Sequence, residues 1–446
     1  MKHNSTPIAQ PALWTRRDML KWGAAGVGAA CLPSRLLRAA EPTKKLRVAA
    51  IFTEFTYRSH AHVLLENFVQ PYIFRGKLVD PNMEVVSMYG DQFPEQEIGH
   101  QVSKQFNIPI VPSIREALTL GGKNLAVDAV LSIGEHGHYP KNDFDQVMYP
   151  RKQFFDGIVG VMRETGQVAP IFNDKHLSYR WDWASEMYNT AKEMKIPFMA
   201  GSSVPLAERT PPMELPPETE FDDLLLVHGG GFDGYDFHGL EVLQSLTESR
   251  KGGETGVESV QYLTGPAVWK AAEEKLWNPE LVEPALKPSF KEKAAKWREF
   301  TPNPILIIVR YKDGLHAPML SVPGSEWCFG CRLKGDSAIH ATRFHVGPWQ
   351  NRNLFKALSH AIQHFFRTGV SPYPLERTLL TTGMTEAACH SAKTGEKPFP
   401  TPYLDIHYQP RDYRAFRENG ESWKILTYAV PEPKGMETLG GISVPK

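Results

Sequence analysis

The stretch RVAAIFTEFTYRSHAHVL, residues 47–64, predicts how the fold begins. Its apolar run from Val48 to Phe52 is typical of a buried β-strand, and an apolar-periodic segment that predicts a helix begins at His60. A strand, a turn and a helix in this order open many dinucleotide-binding domains, in which the turn is built from three glycines. This turn contains no glycine. The stretch therefore predicts the scaffold of a dinucleotide site without its usual phosphate-binding turn.

Short apolar strands and amphipathic helices alternate from Leu46 to about Pro205. This alternation predicts a Rossmann-like domain over residues 46–205, with a doubly wound parallel sheet. Ligands of such sheets bind beyond the carboxyl ends of the strands, so functional residues are expected there. The segments that follow the predicted strands are Phe52 to Arg58, Tyr89 to Asp91, Gly134 to His138, and Asn173 to His176.

The second half of the chain follows a proline-rich connection, RTPPMELPPETEF, and has a different pattern. The segments ILIIVRYKDG and LHAPMLSV predict a hairpin that turns at Asp313–Gly314, and EWCFGCRLKG and HATRFHVG predict further strands. A strongly amphipathic helix is predicted to end at Gly369. Residues 206–430 are therefore predicted to form an α/β substrate domain with a largely antiparallel sheet, followed by a tail over 431–446.

The first forty residues carry the pattern of an export signal. The segment TRRDMLK, Thr15 to Lys21, precedes a short apolar run of small residues, which resembles a twin-arginine signal peptide over 1–40. Cleavage is expected near Ala39 or Ala40, and a lipid anchor at Cys31 is a weaker alternative. We expect a periplasmic or extracellular protein, and no later stretch is long and apolar enough to predict a membrane span.

Composition narrows the class of partner. The 446 residues are 41% hydrophobic and 22% charged, as in folded globular proteins. Lysine plus arginine and aspartate plus glutamate both number 50, which argues against a nucleic-acid binder because such proteins carry a basic excess. The predicted partner is a small molecule; a homo-oligomer is compatible with the sequence but not specified by it.

Two segments carry a family resemblance. In NDKHLS, residues 173–178, Lys175 stands where the glucose–fructose oxidoreductase, inositol dehydrogenase and MocA-type (Gfo/Idh/MocA) family has the lysine of a Glu-Lys-Pro motif. In GGGFDGYDFHGLEVL, residues 229–243, His238 and Glu241 match that family's His-x-x-Asp helix after a glycine-rich loop. The C-terminal helix pair is also similar, so most of the chain from Leu46 to Tyr408 resembles this family.

The resemblance implies a nicotinamide-dependent oxidoreductase that acts on a sugar or polyol hydroxyl. It places Lys175 and His238 around the substrate, with histidine taking the hydroxyl proton; a histidine titrates near neutrality, and an ammonium stabilises developing negative charge on oxygen. The family's orienting aspartate is replaced by Gly234, so Asp236 or Asp233 is the candidate for that role. The same resemblance makes His176 a substrate contact.

The cofactor prediction meets a conflict at the first turn. In the family alignment Phe52, Glu54 and Tyr57 fall on the three glycine positions, and Glu54 places a carboxylate where phosphates would lie. The residues left to contact NAD or NADP are Thr53 and Arg58 in the turn and Asp91 after the second strand. A second hypothesis is therefore a carbohydrate-binding protein that has lost dinucleotide binding.

Two further clusters were weighed. Glu135, His136 and His138 in GEHGHYP lie at a strand end, and two histidines two residues apart share a face if the chain is extended. They predict a substrate contact. The alternative is that they bind a metal, which would make the protein a hydrolase or lyase, but no residue is assigned as a metal ligand. Cys328 and Cys331 form a CxxC that predicts a structural pair, bonded or free.

Overall fold

The computed structural model describes residues 44–436. The predicted export signal, with its candidate anchor Cys31, lies outside these residues, as do residues 437–446 of the predicted tail. No helix within the described range is long and apolar enough to cross a membrane.

The first half of the chain alternates strands and helices around one parallel sheet. Its elements are β1 (Leu46–Phe52), α1 (His60–Val69), β2 (Tyr72–Phe74), β3 (Lys77–Val79), β4 (Met83–Gly90), α2 (Gly99–Phe106), α3 (Ile114–Thr119), β5 (Ala129–Ile133), α4 (Arg151–Thr165), β6 (Ile171–Asp174), α5 (Trp181–Glu193) and β7 (Phe198–Gly201). The strand order is β4-β1-β5-β6-β7, and all four neighbouring pairs are parallel. The Rossmann-like prediction is confirmed.

Strand β1 is central because its side chains are apolar on both faces. Val48 and Phe52 belong to one hydrophobic cluster, and Ala49 and Ile51 belong to another on the opposite face. Helix α1 begins where the side chain of Ser59 caps it. Helix α1 ends before Pro71, and the residues that follow form the β2–β3 hairpin.

The second half of the chain builds a larger sheet. Its elements are β8 (Glu208–Thr210), β9 (Phe221–His228), α6 (Gly234–Thr247), β10 (Val257–Thr264), α7 (Pro266–Glu273), α8 (Val282–Phe290), β11 (Ile305–Tyr311), β12 (His316–Ser321), β13 (Trp327–Leu333), β14 (Ile339–His345), α9 (Asn351–Thr368), α10 (Leu375–Lys393) and β15 (Phe399–Pro400). The strand order is β15-β10-β11-β12-β9-β13-β14-β8, antiparallel except where β12 meets β9. The antiparallel prediction and the β11–β12 hairpin are confirmed.

One layer of this half was not predicted. Helices α7 and α8, with a 3-10 segment over Lys291–Phe300, cover the outer face of the large sheet. Trp277, Leu286 and Trp297 from this layer are buried in the same cluster as strand residues. Pro279, Pro284 and Pro288 interrupt the 3.6-residue periodicity there, which is why the sequence did not reveal the helices.

The two halves share a core. Residues from Lys45 onward form one compact unit, and one hydrophobic cluster contains Val48 from β1 and Leu226 from β9. The predicted division at residue 205 therefore stays a prediction.

The CxxC of strand β13 contains two free, buried thiols. Cys328 packs in the outer cluster and Cys331 in the inner one, because residues three apart on a strand point to opposite faces. The two thiols cannot bond to each other across the strand, so the bonded form of the predicted pair is wrong.

Candidate functional site

Three ionised side chains meet beyond the carboxyl ends of β5 and β6. Glu135 follows β5, Lys175 follows β6 and Arg151 opens α4, and all three are buried. The Lys175 ammonium donates a hydrogen bond to Glu135 Oε1 over 2.7 Å, and the Arg151 guanidinium donates to Oε2 of the same carboxylate. We call Glu135, Arg151 and Lys175 the charged cluster. One carboxylate compensates two buried cations in it.

The two cations of this cluster stabilise the ionised form of Glu135. Burial acts to raise the pKa of Glu135, but Lys175 and Arg151 outweigh it and hold that pKa well below its ordinary value. The carboxylate is therefore ionised throughout the neutral range.

The backbone holds Lys175 in an uncommon conformation. Its φ is +64°, in the left-handed region that few non-glycine residues adopt. The Lys175 amide donates to the carbonyl oxygen of Gly201 over 3.2 Å, and the Gly201 amide donates back over 3.1 Å. A side chain at Gly201 would place a Cβ 2.8 Å from Thr378 Oγ1, so only glycine fits beside this lysine. Local strain of this kind is often found at functional sites.

The fold brings the predicted pair, Lys175 and His238, close to each other. A Cβ at Gly234 would stand 3.5 Å from Lys175 Nζ, so the ammonium reaches the first turn of α6, about one turn before His238. His238 Nδ1 lies 2.6 Å from Ser202 Oγ. Burial, with the nearby charge of Lys175, lowers the pKa of His238 well below its ordinary value. The imidazole is neutral and able to accept a proton.

The orienting group of His238 is a serine, which corrects the prediction for Asp236. Asp236 Oδ1 lies 3.1 Å from His228 Nε2, and its Oδ2 accepts a hydrogen bond from the Asp233 amide over 3.2 Å. The position of Asp236 in the first turn of α6 directs its carboxylate to β9. Sequence spacing alone did not distinguish this direction from one toward His238.

Asp233, the second candidate for that role, faces the charged cluster. Burial raises the pKa of Asp233 to about 6, against the opposing influence of Arg151 and Lys175. Its Oδ1 has no hydrogen-bond partner within residues 44–436. Its φ is +66°, so a second residue of the site stands in the left-handed region.

His176 supports Arg151 and does not present a free ring nitrogen to a substrate. Its Nδ1 lies 2.8 Å from the Ser178 carbonyl oxygen, and its Nε2 lies 3.2 Å from the Arg151 guanidinium. Burial, followed by the charge of Arg151, lowers the pKa of His176 well below its ordinary value. The ring is neutral, with Nδ1 as donor and Nε2 as acceptor, so the predicted substrate contact is not supported by its position.

The two histidines of GEHGHYP do not share a face. His136 and Gly137 have φ values of +71° and +94°, so the chain turns there and is not extended. His136 lies against His60, with ring centroids 4.9 Å apart, whereas His138 is exposed. Among the residues that the structure describes, no group of three or more His, Cys, Asp or Glu side chains is arranged to hold a metal ion.

Sequence reasoning missed three members of the site: Arg151, Ser202 and His60. His60 Nδ1 lies 2.5 Å from Asp174 Oδ2, next to the charged cluster. A histidine at the start of a helix after the first strand was a usable signal for His60. Arg151 and Ser202 give no sequence signal, because burial of a charged or polar side chain depends on tertiary contacts.

An aromatic pair lies beside His238. The Tyr235 ring, in a residue that is 52% exposed, stacks on Trp327 with centroids 6.1 Å apart and an interplanar angle of 6°. The Trp327 ring also lies 5.9 Å from the His238 ring. A Cβ at Gly230 would stand 2.0 Å from the Tyr235 ring, so the glycine loop makes room for this tyrosine.

The turn after β1 is covered by the loop that follows β4. The Asp91 amide donates to the Phe52 carbonyl oxygen over 3.0 Å, and the Gln92 amide donates to the Thr53 carbonyl oxygen over 2.7 Å. Further along, the Ile98 amide donates to the carbonyl oxygen of Phe55 over 2.7 Å. Phe52 and Phe55 are both buried. We call residues 53–58 the covered turn.

The loop after β5 completes the cover. The Gln92 side-chain amide donates to the His138 carbonyl oxygen over 3.0 Å and accepts from the His138 amide over 2.9 Å. Asp91 Oδ2 accepts a hydrogen bond of 2.6 Å from the Tyr139 hydroxyl. Loops from β1, β4 and β5 are therefore joined where a dinucleotide would cross the sheet.

The three residues predicted to contact a cofactor are engaged within the chain. The buried Thr53 hydroxyl donates to the Glu135 carbonyl oxygen over 2.6 Å, Asp91 is bound by Tyr139, and the Arg58 guanidinium pairs with Glu432 near the C terminus. These residues do not fit a dinucleotide bound in the usual way of this fold.

Comparison with known proteins identifies the fold. No protein-family model and no curated protein matches the chain. Among solved structures, GenD2 from gentamicin A biosynthesis in complex with NAD is similar, with a TM-score of 0.51 and 10% identity over 80% of this chain and 97% of that one. The chain has the fold of the Gfo/Idh/MocA-type oxidoreductases. The predicted fold class is thereby confirmed.

Two further structures of this fold are similar at a lower score. A myo-inositol dehydrogenase from Corynebacterium glutamicum has a TM-score of 0.49 and 12% identity over 79% of this chain and 98% of that one. An oxidoreductase from Agrobacterium radiobacter in complex with NAD+, L-tartaric acid and magnesium has the same score and identity over 81% and 99%. Identities this low leave the chemistry of this chain to the site itself.

Proposed function

We propose that this protein binds a polyhydroxylated small molecule, a sugar or cyclitol, beside the charged cluster and His238, without a nicotinamide cofactor bound in the usual mode. One observation carries this proposal: the site contains buried polar atoms without hydrogen-bond partners in the described chain, namely Asp233 Oδ1, His136 Nε2 and Arg151 Nε. Buried polar atoms are normally paired, and hydroxyl groups can both donate and accept. A polyol carries several such hydroxyl groups.

The aromatic pair supports a ring-shaped ligand. Ligand sites combine apolar or aromatic walls with a few placed polar groups. The exposed ring of Tyr235 provides such a wall next to His238, and the charged cluster provides the polar groups. The neutral His238 ring and the Lys175 ammonium would form hydrogen bonds with hydroxyl groups of the ligand.

The second candidate is a nicotinamide-dependent oxidoreductase acting on a sugar or polyol hydroxyl. It is favoured by the similarity of the fold to that of GenD2, which was solved in complex with NAD. It is also favoured by the approach of Lys175 to the helix that carries His238. It requires the loops over the covered turn to open. The resemblance of residues 1–40 to a twin-arginine signal peptide supports the further proposal that the protein acts in the periplasm or outside the cell.

The first experiment is mass spectrometry of small molecules released when the protein, expressed from the full chain and purified without added ligand, is denatured. We expect a sugar or cyclitol and no nucleotide. Stoichiometric NAD(H) or NADP(H) would overturn the proposal in favour of the second candidate.

Calorimetric titration with a panel of neutral monosaccharides and cyclitols then tests the site. For a ligand that binds, Lys175→Met should weaken Kd at least tenfold and Tyr235→Ala several-fold, since Lys175 belongs to the charged cluster and the Tyr235 ring lies beside His238. Tyr428→Ala is the matched control, because Tyr428 is exposed and its ring lies against His345, with a centroid distance of 6.4 Å. Equal affinity in all three variants, or no binding across the panel, would contradict the proposal.

A further inference from the structure

A cavity that is independent of the proposed function lies between β8, α6 and the segment 410–417. It has a volume of about 350 Å³. Four arginines line it, against two carboxylates, so its lining is positively charged; these residues are Arg209, Arg411, Arg414, Arg417, Glu214 and Asp412. The chain as a whole has a formal net charge of zero, so this local excess is a property of the pocket.

Arg209 is the unusual member, because its buried guanidinium donates no hydrogen bond to a carboxylate. The residue is 9% exposed, and it donates to the Met213 carbonyl oxygen over 3.0 Å and to the Tyr413 hydroxyl over 3.1 Å. Its Nε has no hydrogen-bond partner in the part of the chain that the structure describes. The carboxylate of Glu214 lies 3.7 Å away, beyond hydrogen-bond distance.

Glu214 cannot neutralise Arg209 fully. Its side chain is 49% exposed and accepts a hydrogen bond from Arg417, which is itself buried. One half-exposed carboxylate is therefore shared between two buried guanidinium groups. Burial also lowers the pKa of Arg209 from its ordinary value, which is the direction expected when charge compensation is incomplete.

The other two arginines stand at the exposed rim. Arg414 donates to both carboxylate oxygens of Asp412, over 2.9 Å and 2.6 Å, and Arg411 donates to the Ser371 carbonyl oxygen over 2.9 Å. Both are exposed, so they remain able to contact a ligand that enters from solvent.

We propose that this pocket binds a small oxyanion, such as a phosphate, sulfate or carboxylate group, with Arg209 and Arg417 at its floor. Buried charges are normally paired, and the planar fork of a guanidinium matches two oxygens of such a group. An oxyanion would supply the missing partner of Arg209 Nε and balance the positive lining. The volume admits the group together with a small organic body.

Isothermal titration of the full chain with sodium phosphate, sodium sulfate and sodium acetate tests this, with ionic strength held constant by sodium chloride. We expect saturable binding of at least one anion, and the anion that binds tightest identifies the chemical class. Arg209→Met should weaken that binding at least tenfold, and Arg414→Gln, at an exposed position that the fold does not require, two- to fivefold.

Arg115→Gln is the control, because Arg115 is an exposed arginine in an ion pair with Glu164, outside the pocket. It should bind the anion as the unchanged protein does. Absence of saturable binding for all three anions would overturn the proposal. So would equal binding by Arg414→Gln and Arg115→Gln, a comparison that stands even where Arg209→Met does not fold.

Discussion

The covered turn and the charged cluster lie at the same edge of the same sheet, yet they differ in how completely their polar groups are hydrogen-bonded within the chain. Around the turn, Thr53, Asp91 and Gln92 each have partners in neighbouring loops. Around the cluster, Asp233 and Arg151 keep buried polar atoms without partners in the described chain. The first region is paired like a structural core, whereas the second contains unpaired polar atoms on which the proposed function rests.

This contrast gives a criterion that distinguishes a binding site from the scaffold around it. A polar group that is paired within the chain stabilises the fold, whereas an unpaired buried one costs free energy and persists where a ligand uses it. We therefore expect substitutions in the two regions to differ in sign and in their dependence on pH, and the following changes test that contrast.

The largest effect is expected for Glu135→Gln in the charged cluster. It removes the carboxylate shared by Lys175 and Arg151 and leaves two buried cations together. Breaking a buried ion pair from one side should lower the free energy of unfolding by about 4 kcal/mol. Urea denaturation measures it, and Glu164→Gln in the exposed pair with Arg115 is the control, with an expected loss below about 1 kcal/mol. Similar losses in both variants would show that the cluster is not energetically special.

The covered turn should respond as a hydrophobic core. Phe55 is fully buried, packs against Phe52 with ring centroids 5.5 Å apart and stands in the turn that glycines would form in a dinucleotide site. Phe55→Ala should lower the free energy of unfolding by about 3 kcal/mol through lost burial and a cavity. Phe93→Ala, at an exposed phenylalanine of the covering loop, should cost less than about 1 kcal/mol in the same denaturation assay. A small loss at Phe55 would mean that the turn is loosely packed and open to a ligand.

The same two regions show what the sequence could and could not predict. Regular periodicity in β1, β4, β5 and α9 gave the fold, and the absence of glycines gave the weakness of the dinucleotide turn. The loop crossing from β4 was not predictable, because its backbone hydrogen bonds to the turn carry no side-chain signature. Lys175 and His238 were found through resemblance, while Ser202 and Arg151 were missed because their roles arise from tertiary contacts between distant segments.

Asp233→Asn should stabilise the protein near neutral pH. Burial raises the pKa of Asp233 from an ordinary 3.8 to about 6. A carboxyl whose folded pKa is raised contributes its full stability below the ordinary pKa and loses that contribution as pH rises through about 6. Asparagine carries no such penalty, so the free energy of unfolding of the variant should exceed that of the unchanged protein by about 3 kcal/mol at pH 7.5 and by only about 1 kcal/mol at pH 4.5.

The control for this pH dependence is Asp182→Asn. Asp182 is an exposed residue paired with Arg180, and that hydrogen bond lowers its pKa. Its variant should be neutral or slightly destabilised at pH 7.5. Urea denaturation at both pH values makes the comparison. A pH-independent difference for Asp233→Asn would show that its carboxyl is not held against a charge penalty in the folded state.

The smallest effect is expected where the C-terminal segment meets the covered turn. Glu432 accepts hydrogen bonds from the Arg58 guanidinium and the Tyr57 hydroxyl at the start of α1. The pair is partly exposed, so Glu432→Gln should lower the free energy of unfolding by about 0.5–1 kcal/mol. Glu421→Gln, in an exposed pair with Lys424, should change it less.

Nucleotide binding by Glu432→Gln decides what covers the turn. This substitution removes the ion pair of Arg58 and a negative charge from the helix N-terminus, where anions bind most readily. The backbone hydrogen bonds from Gln92 to Thr53 and from Ile98 to Phe55 remain in place, so we expect titration with NADH to give no saturable fluorescence change. Binding that appears in Glu432→Gln and not in Glu421→Gln would mean that the C-terminal segment, and not the loop after β4, excludes the dinucleotide. The covered turn would then still be able to bind a dinucleotide once that segment moves away.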